Sequence, residues 1–353
     1  MNCKKLSIII CLVSIAGLFQ YCSKSEPTNT VTPAASIDKF GSPQLPAFAY
    51  NYSNIPIPTY ISGILPLVDN TPITNTITND GATLGRVLFY DKNLSKNNSV
   101  SCGSCHRQDL SFSDSAIKSK GFLGGSTDRH SMALLNVRFY KSGKMFWDER
   151  ANTLEEQVLQ PIQNTTEMGL TLTELTSKVS ALNYYPALFQ KAFGSSQINT
   201  DKISKALAQF VRSIVTYQSK YDQVKQGLVT FTTDERDGET FFLTAGNRTC
   251  AGCHAPPMFL TSSPVAPFAL ADATDAGINN QNRFKSGSLR NIANTAPYFH
   301  NGSVASLQTM LAGNIPAHSV GPQNAQKLLA FLQTLTDVIS INDIKYSDPF
   351  VTR

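Results

Sequence analysis

Two stretches of the chain, Cys102-Gly-Ser-Cys105-His106 and Cys250-Ala-Gly-Cys253-His254, decide how it folds. In each stretch two cysteines and a histidine have the C-x-x-C-H spacing of a c-type haem site, where the thiols form thioethers with the haem and the histidine binds the iron. A redox dithiol, or a zinc site made from both pairs, would use the same cysteines. The chain has five histidines, and one of them directly follows each pair. The motifs therefore predict two covalently bound haem c groups.

The N-terminus has the order of a signal peptide. Two lysines precede an apolar stretch that ends at Phe19 and is too short to span a membrane, and Cys22 follows it. Residues 1–22 are therefore predicted to be a lipoprotein signal peptide with Cys22 lipidated, although Tyr21 stands where such signals carry a small residue. The alternative is a plain cleaved leader with an incidental cysteine. We expect an exported protein of the periplasm or cell envelope, whose membrane contact is the lipid anchor alone.

Length and composition describe a globular protein of about two domains. The chain has 353 residues, of which 41% are hydrophobic and 16% charged, and a domain usually has about 100–200 residues. The formal charge is +5 and the basic residues are scattered, so a nucleic-acid partner is not expected. Since the two haem motifs lie about 150 residues apart, one haem per domain is predicted.

Helical patterns dominate the rest of the chain. Thr153-Leu-Glu-Glu156 and Thr171-Leu-Thr-Glu174 are capping boxes that predict helix starts, and Pro161 is expected to stop the first of these helices. Apolar residues at helical spacing predict further helices over 201–217, 232–244 and 324–335. No alternating run is long enough for a sheet. The predicted fold class is all-α, with two cytochrome c-like haem domains and long loops.

From residue 85 to residue 335 the chain resembles the dihaem cytochrome c peroxidases. The segments that match the family's F-W-D-G-R-A, L-x-E-Q, P-I-Q and E-M-x motifs in order and spacing are Phe146-Trp147-Asp148-Glu149-Arg150-Ala151, Leu154-Glu-Glu-Gln157, Pro161-Ile-Gln163 and Glu167-Met168-Gly169. The segments similar to its L-R-N and P-Y-F-H-D-G motifs are Leu289-Arg290-Asn291 and Pro297-Tyr298-Phe299-His300-Asn301-Gly302. The resemblance covers most of the chain beyond the predicted leader.

The resemblance implies a division of labour along the chain. Residues 23–78 are expected to be a polar, Pro-rich linker and N-terminal extension. Residues 79–224 would form the peroxidatic haem c domain and residues 225–353 the electron-transfer haem c domain, with a C-terminal segment able to pack back on the first domain. In this scheme His106 binds the iron that reacts with peroxide, and His254 binds the iron that supplies electrons.

Three residues acquire catalytic roles through the same resemblance. Glu167 matches the family's distal glutamate, which is suited to move a proton between the two peroxide oxygens. Gln157 matches a glutamine of the same pocket. Trp147, the single tryptophan of the chain, matches the residue between the two haems, where an indole can help to carry electrons. Without the resemblance, an exposed carboxylate, a solvent amide and a core tryptophan would be the expected interpretations.

The chain departs from the family at the resting cap of the first haem. Many members carry a capping histidine seven positions before the arginine matched here by Arg129, and that position is Phe122. The nearest histidine, His130, stands where the family has a calcium-binding asparagine. Either the first haem is five-coordinate in every redox state, which we favour, or His130 caps it.

Two further metal ligands stay open. The second haem's usual sixth ligand falls on Asn314, so Met310, one helical turn earlier, and His318 are the candidates, with Met310 ranked first because a thioether raises the potential. Thr295 and Pro297 match backbone-carbonyl ligands of the family's calcium ion. An imidazole is a poor calcium ligand, so His130 weakens that site.

The resemblance implies an enzyme that reduces hydrogen peroxide to water with electrons from a small redox protein, a cytochrome c or a cupredoxin. One alternative is a MauG-like enzyme that oxidises residues of a partner protein; Phe122 suits it, whereas Asn314 replaces its typical tyrosine. The other is a non-catalytic dihaem electron carrier, which would be expected to lack Glu167 and Gln157. Family members are often homodimers, but the sequence carries no interface signature.

Overall fold

The structure, a computed structural model, describes residues 40–244, 250–260, 274–315 and 318–351. Within these ranges the repeating elements are all helical, and β-type pairing is limited to five isolated bridges in loops. The all-α prediction is therefore confirmed. The predicted signal peptide over residues 1–22, including Cys22, lies outside the described residues. No helix in the described ranges combines the length and the apolar character that a membrane crossing requires.

The helices follow one another with long loops between them. In chain order they are α1 Thr59–Ser62, α2 Leu65–Val68, α3 Asn79–Tyr90, α4 Cys102–Cys105, α5 Leu154–Gln157, α6 Gln160–Gln163, α7 Leu172–Ala181, α8 Tyr185–Phe193, α9 Thr200–Ser213, α10 Lys220–Lys225, α11 Thr233–Thr244, α12 Cys250–Cys253, α13 Leu307–Ala312, α14 Pro322–Gln333 and α15 Val338–Asn342. Each haem motif supplies its own short helix, α4 or α12.

Most sequence-based helix predictions are confirmed within a few residues. Thr171 and Glu174 form the expected capping box of α7, and the three amphipathic patterns correspond to α9, α11 and α14. The prediction for Pro161 was wrong. The helix that Thr153 caps ends at Gln157, and Pro161 lies in the first turn of the next helix, α6, where its missing N–H costs no helical hydrogen bond.

Two hydrophobic cores form around two crossing helix pairs. In the first, α3 crosses α9 so closely that a Cβ on Gly85 would lie 2.0 Å from the carbonyl oxygen of Ala206. In the second, α11 crosses α14, and a Cβ on Gly238 would lie 2.1 Å from the carbonyl oxygen of Lys327. Each crossing therefore requires a glycine. All described residues belong to one compact unit, and the boundary between residues 224 and 225 stays a prediction.

The C-terminal segment packs against the first core. Tyr346 lies among the aromatic rings of that core. The hydroxyl of Tyr90 donates to the carbonyl of Tyr346 at 2.7 Å, and Arg86 donates to the carbonyl of Lys345 at 3.1 Å. Residues from both ends of the described chain thus cover the helices that border the first haem motif.

A fully buried ion pair holds the second region together. Arg290 donates two hydrogen bonds of 2.9 Å to the carboxylate of Asp222 on α10, and both side chains have no exposed surface. The same guanidinium donates to the carbonyl of Pro257, just beyond the second haem motif. Arg290 therefore ties α10 to the loop that follows His254.

Candidate functional site

The first cavity contains the first haem motif together with the predicted catalytic carboxylate and amide. Its empty volume, including the space open to solvent, is about 720 Å³. The residues named from the sequence that line it are Cys102, Cys105, His106, Gln157 and Glu167. The first haem motif thus meets residues more than 50 positions further along the chain around one space, as a site for a bound group requires.

The first motif has the form that a haem attachment site needs. Ser101 and Ser104 cap the one-turn helix α4, which carries both cysteines on its ends. Nδ1 of His106 lies 3.0 Å from the carbonyl oxygen of Phe112, and a carbonyl can only accept, so Nδ1 carries the proton and Nε2 keeps its lone pair. Burial lowers the pKa of His106, which favours the neutral, metal-binding form.

The thiols do not behave as a redox dithiol or as thiolate zinc ligands. Burial raises the pKa of Cys102 to about 12 and that of Cys105 to about 11, whereas reactive dithiols have a lowered pKa. The four cysteines of the motifs are not joined in disulfides. Among the described residues, no three histidine, cysteine, aspartate or glutamate side chains are grouped closely enough to hold a metal ion. The residues present fit covalent haem better than zinc.

Glu167 is presented to the first cavity by a turn that follows α6. Its backbone N–H donates to the carbonyl of Asn164 at 3.1 Å, and its carbonyl accepts from the N–H of Phe122 at 2.9 Å. Burial raises the pKa of the Glu167 carboxyl, and the charge of Arg150 opposes that rise in part. A carboxyl with a raised pKa exchanges its proton more readily near neutral pH than an exposed glutamate does.

Neither Phe122, at the family's capping position, nor His130, the candidate cap, lines the first cavity. The ring of Phe122 packs against Gly169, where it lies 2.5 Å from the position a Cβ would take. His130 lies on the second cavity, with Nδ1 3.0 Å from the carbonyl of Ala116 and Nε2 3.3 Å from Oγ of Ser113. Of the described residues that line the first cavity, His106 is the one histidine.

The second cavity is larger and contains the second motif. Its empty volume is about 1750 Å³, and Cys250, Cys253 and His254 line it. Nδ1 of His254 lies 3.1 Å from Oγ of Ser286. Burial, together with the charge of the nearby His318, lowers the pKa of His254 to about 4, so this imidazole is also in the form that binds a metal.

Both candidates for the second haem's sixth ligand lie on this cavity. Met310, on α13, and His318 line the same space as His254, and the ring of His318 meets that of Phe299 edge-on at 5.4 Å between centroids. Asn314, the position suggested by the family pattern, is not among the lining residues. The preference for Met310 over His318 stays a prediction.

Trp147 lines the second cavity, beside a segment that reaches the first. Its indole lines the second cavity, and Nε1 donates to the carbonyl of His130 at 2.8 Å. Ser131, which follows His130 in the chain, lines both cavities. The indole also meets the ring of His300 edge-on at 6.5 Å between centroids. Trp147 is therefore hydrogen-bonded to the residue that precedes Ser131, and Ser131 lines both cavities.

The residues implied for calcium fit that ion poorly. Thr295 and Pro297 line the second cavity together with His130. Calcium takes six to eight oxygen ligands, whereas His130 presents an imidazole whose two nitrogens already contact Ala116 and Ser113. We therefore assign calcium no part in the chemistry below.

Sequence reasoning missed two residues that the fold brings to the site. Ser131 faces both cavities, and Lys285 lines the second cavity although its side chain is buried. Neither belongs to a motif used in the sequence analysis. The position of Lys285, five residues before Arg290 in a polar stretch, is the kind of place where a solvent-exposed lysine would be expected.

Comparison with known proteins explains this arrangement. Residues 79–230 match the sequence profile of the family described as di-haem cytochrome c peroxidase. The cytochrome c551 peroxidase of Nitrosomonas europaea is 33% identical over 275 residues, which are 73% of this chain and 80% of that protein. The chain belongs to the di-haem cytochrome c peroxidase family. The resemblance seen in the sequence is thereby confirmed, as is the prediction of a peroxidase-type oxidoreductase at the level of the family.

Both branches of the family are represented among the similar proteins. The methylamine utilization protein MauG of Methylophilus methylotrophus is 30% identical over 248 residues, 68% of this chain and 73% of that protein. The crystal structure of a MauG-like protein associated with microbial copper homeostasis has a TM-score of 0.73 and 28% identity, covering 84% of this chain and 99% of the other. The di-haem peroxidase fold therefore extends over most of the chain.

Proposed function

We propose that this protein is a di-haem c-type peroxidase that reduces hydrogen peroxide to water with two electrons from a small redox protein, a cytochrome c or a cupredoxin. One observation carries the proposal: Glu167 and Gln157 line the cavity that also holds Cys102, Cys105 and His106. A plain electron carrier has no use for a buried carboxyl and an amide at an iron site. Hydrogen peroxide is small enough for this cavity.

The protein groups of the first cavity hold the substrate and handle its proton. Bound haem supplies the iron that binds peroxide and accepts electrons. The Glu167 carboxylate takes the proton from one peroxide oxygen and returns it to the other, which leaves as water. Gln157 donates from its amide to a peroxide oxygen and so orients it. Because Phe122 and His130 both lie off this cavity, peroxide has access in the resting oxidised protein, without prior reduction.

The second cavity serves electron supply. Cys250, Cys253 and His254 would hold the second haem c, and Met310, in preference to His318, would supply the further iron ligand. Electrons pass towards the first cavity by way of Trp147, whose Nε1 donates to the residue before Ser131, a residue that lines both cavities. The protein is exported and held at the membrane through lipidated Cys22, where a small periplasmic donor reaches it.

The MauG-like function is the second candidate, favoured by the absence of a histidine at Phe122. In that case the oxidising equivalents would oxidise residues of a partner protein instead of being consumed by electrons from a donor. The two functions differ in what consumes the equivalents, so addition of a reduced cytochrome c distinguishes them. A peroxidase turns over peroxide in proportion to the donor oxidised.

The decisive experiment is steady-state peroxide reduction with a reduced cytochrome c as donor. Glu167→Gln keeps the size of the side chain but removes the proton acceptor, and we expect kcat to fall by about 10²–10³-fold. Glu156→Gln, at an exposed carboxylate on α5, is the matched control and should leave kcat within about twofold. Wild-type rates in the Glu167→Gln protein would refute the proposed mechanism.

A further inference from the structure

The side chain of Lys285 inserts into the loop that carries Trp147. Its backbone N–H donates to the carbonyl of Trp147 at 2.7 Å. Its Nζ donates to the carbonyl of Lys144 at 2.9 Å and lies 3.5 Å from Sδ of Met145. The same ammonium lies 3.8 Å from the ring centroid of Tyr140. Lys285 therefore fills the inside of the 140–151 loop.

The ammonium of Lys285 is poorly compensated for a buried charge. The residue is 4% exposed. Its Nζ contacts the carbonyl of Lys144, the thioether of Met145 and the ring face of Tyr140. The nearest carboxylate that acts on it, Glu149, is hydrogen-bonded to the hydroxyl of Tyr140. Burial lowers the pKa of Lys285 to about 7, and Glu149 opposes this shift. Its charge therefore changes within the physiological pH range.

Among the described residues, the hydrogen-bond partner of the Trp147 indole is a backbone carbonyl and not a base. Nε1 donates to the backbone carbonyl of His130 at 2.8 Å, and a carbonyl oxygen does not accept a proton at neutral pH. If an electron leaves the indole, the ring stays positively charged until another electron arrives. A cation next to the same loop makes that loss harder, and a neutral amine does not.

We propose that Lys285 sets how readily an electron leaves Trp147, so that electron passage between the two sites is slow while Lys285 is an ammonium and fast once it is a neutral amine. The proposal rests on the role assigned to Trp147 above. One electron leaves the indole on the peroxide side and one arrives from the donor side, so no bond is formed or broken and the indole is restored. The proton of Lys285 exchanges with solvent. Lys285 is thus a positioning residue that acts through Trp147.

Other charged groups near this loop respond differently to pH. Arg129 pairs with Asp148 and Asp275 at 2.6 Å each, and these contacts hold the pKa of both carboxyls below its usual value against the effect of burial. Both carboxylates therefore stay ionised across neutral pH. The cavity itself is lined by histidines, namely His130, His254, His300 and His318. Because imidazoles other than the iron ligand His254 share this cavity, the test needs variants that move the titration of Lys285 alone.

The test measures two quantities between pH 5.5 and 9 in the haem-loaded protein. The first is the rate of electron passage between the two haems after rapid reduction of the second. The second is the ultraviolet resonance Raman spectrum of the indole, which is unambiguous because the chain has one tryptophan. In the wild type we expect the rate to rise about tenfold with pH around a midpoint near 7, accompanied by a change in the indole bands.

Four variants decide the outcome. Lys285→Met should remove both pH transitions and hold the rate at its high-pH value, whereas Lys191→Met, at an exposed lysine of α8, should change neither. Glu149→Gln should move both midpoints to lower pH, and this variant keeps the test valid if Lys285→Met does not fold. Unchanged midpoints in Glu149→Gln, or a persisting transition in Lys285→Met, would overturn the proposal.

Trp147→Phe separates this proposal from the one on which it rests. If electron passage survives at full rate in Trp147→Phe, the assigned role of the tryptophan fails, and the control by Lys285 fails with it. If Trp147→Phe slows electron passage but the Lys285 variants keep the wild-type pH profile, the tryptophan role stands and only the control by Lys285 is wrong.

Discussion

The two cavities carry the same attachment motif and differ in the residues that share the space with it. Around the first, of about 720 Å³, stand a buried carboxyl and an amide, Glu167 and Gln157. Around the second, of about 1750 Å³, stand the two predicted candidates for the sixth iron ligand, Met310 and His318. One lining can hold a substrate and move its proton, and the other can close the coordination of an iron. In the proposed function, the division between chemistry and electron supply follows from these residues, while the C-x-x-C-H motif is common to both.

The largest effect is expected from breaking the buried ion pair between Arg290 and Asp222, which lies beside the second haem motif and has no fully buried counterpart among the described residues around the first. Asp222→Ala leaves the guanidinium of Arg290 buried and unpaired, and we expect the free energy of unfolding to fall by about 3–5 kcal/mol. Thermal or denaturant unfolding followed by circular dichroism measures this loss. Asp237→Ala, which removes a half-exposed ion pair with Lys327, is the matched control and should change stability little. Equal losses in both variants would show that burial of the pair is unimportant.

The first cavity should show its own pH dependence. Because the carboxylate of Glu167 is the active proton acceptor and burial raises its pKa, activity should be present above that pKa and lost below it. We expect kcat to fall about tenfold per pH unit below a midpoint that lies above about 4.3, the value of an exposed glutamate. A pH profile of peroxide turnover measures this. The same acid limb in Glu167→Gln would assign it to another group.

The midpoint potential of the second haem should depend on which residue of the second cavity binds its iron. If Met310 binds the iron, Met310→Leu should lower the midpoint potential of the second haem by more than about 60 mV, a tenfold change in the one-electron equilibrium. His318→Leu should leave the potential nearly unchanged. Spectroelectrochemical titration with electron paramagnetic resonance of the oxidised protein reports both. The opposite result would make His318 the ligand and weaken the contrast between the cavities.

The smallest effect is expected from calcium removal. Because both ring nitrogens of His130 already have protein partners, a calcium chelator should leave peroxide turnover and the paramagnetic resonance spectrum unchanged within error. His130→Asn supplies the missing amide oxygen. In that variant we expect added calcium to change the spectrum. A strong loss of wild-type activity on chelation would show that Thr295 and Pro297 hold the ion without His130.

Much of the fold could be predicted because its signals are local. Capping boxes and 3.6-residue periodicity involve neighbours within one helix, so the start of α7 and most of α9, α11 and α14 were predicted. The helix α3, whose core position is visible only when it crosses α9 at Gly85, was not predicted. The stop expected at Pro161 failed for a similar reason, since a proline can end one helix or begin the next, and only the path of the chain decides.

The sequence by itself identified the family and predicted the covalent attachment of its haems. Five consecutive residues suffice for a C-x-x-C-H site, and the order of the segments around Trp147 and Glu167 identifies the di-haem peroxidases. Only the tertiary structure decided which cavity each remaining side chain faces. His130 lies on the second cavity, Phe122 packs away from the first, and Lys285 is buried beside Trp147, because each position depends on contacts between segments far apart in the chain. Burial and long-range contacts of this kind leave no periodic or motif signal in the sequence.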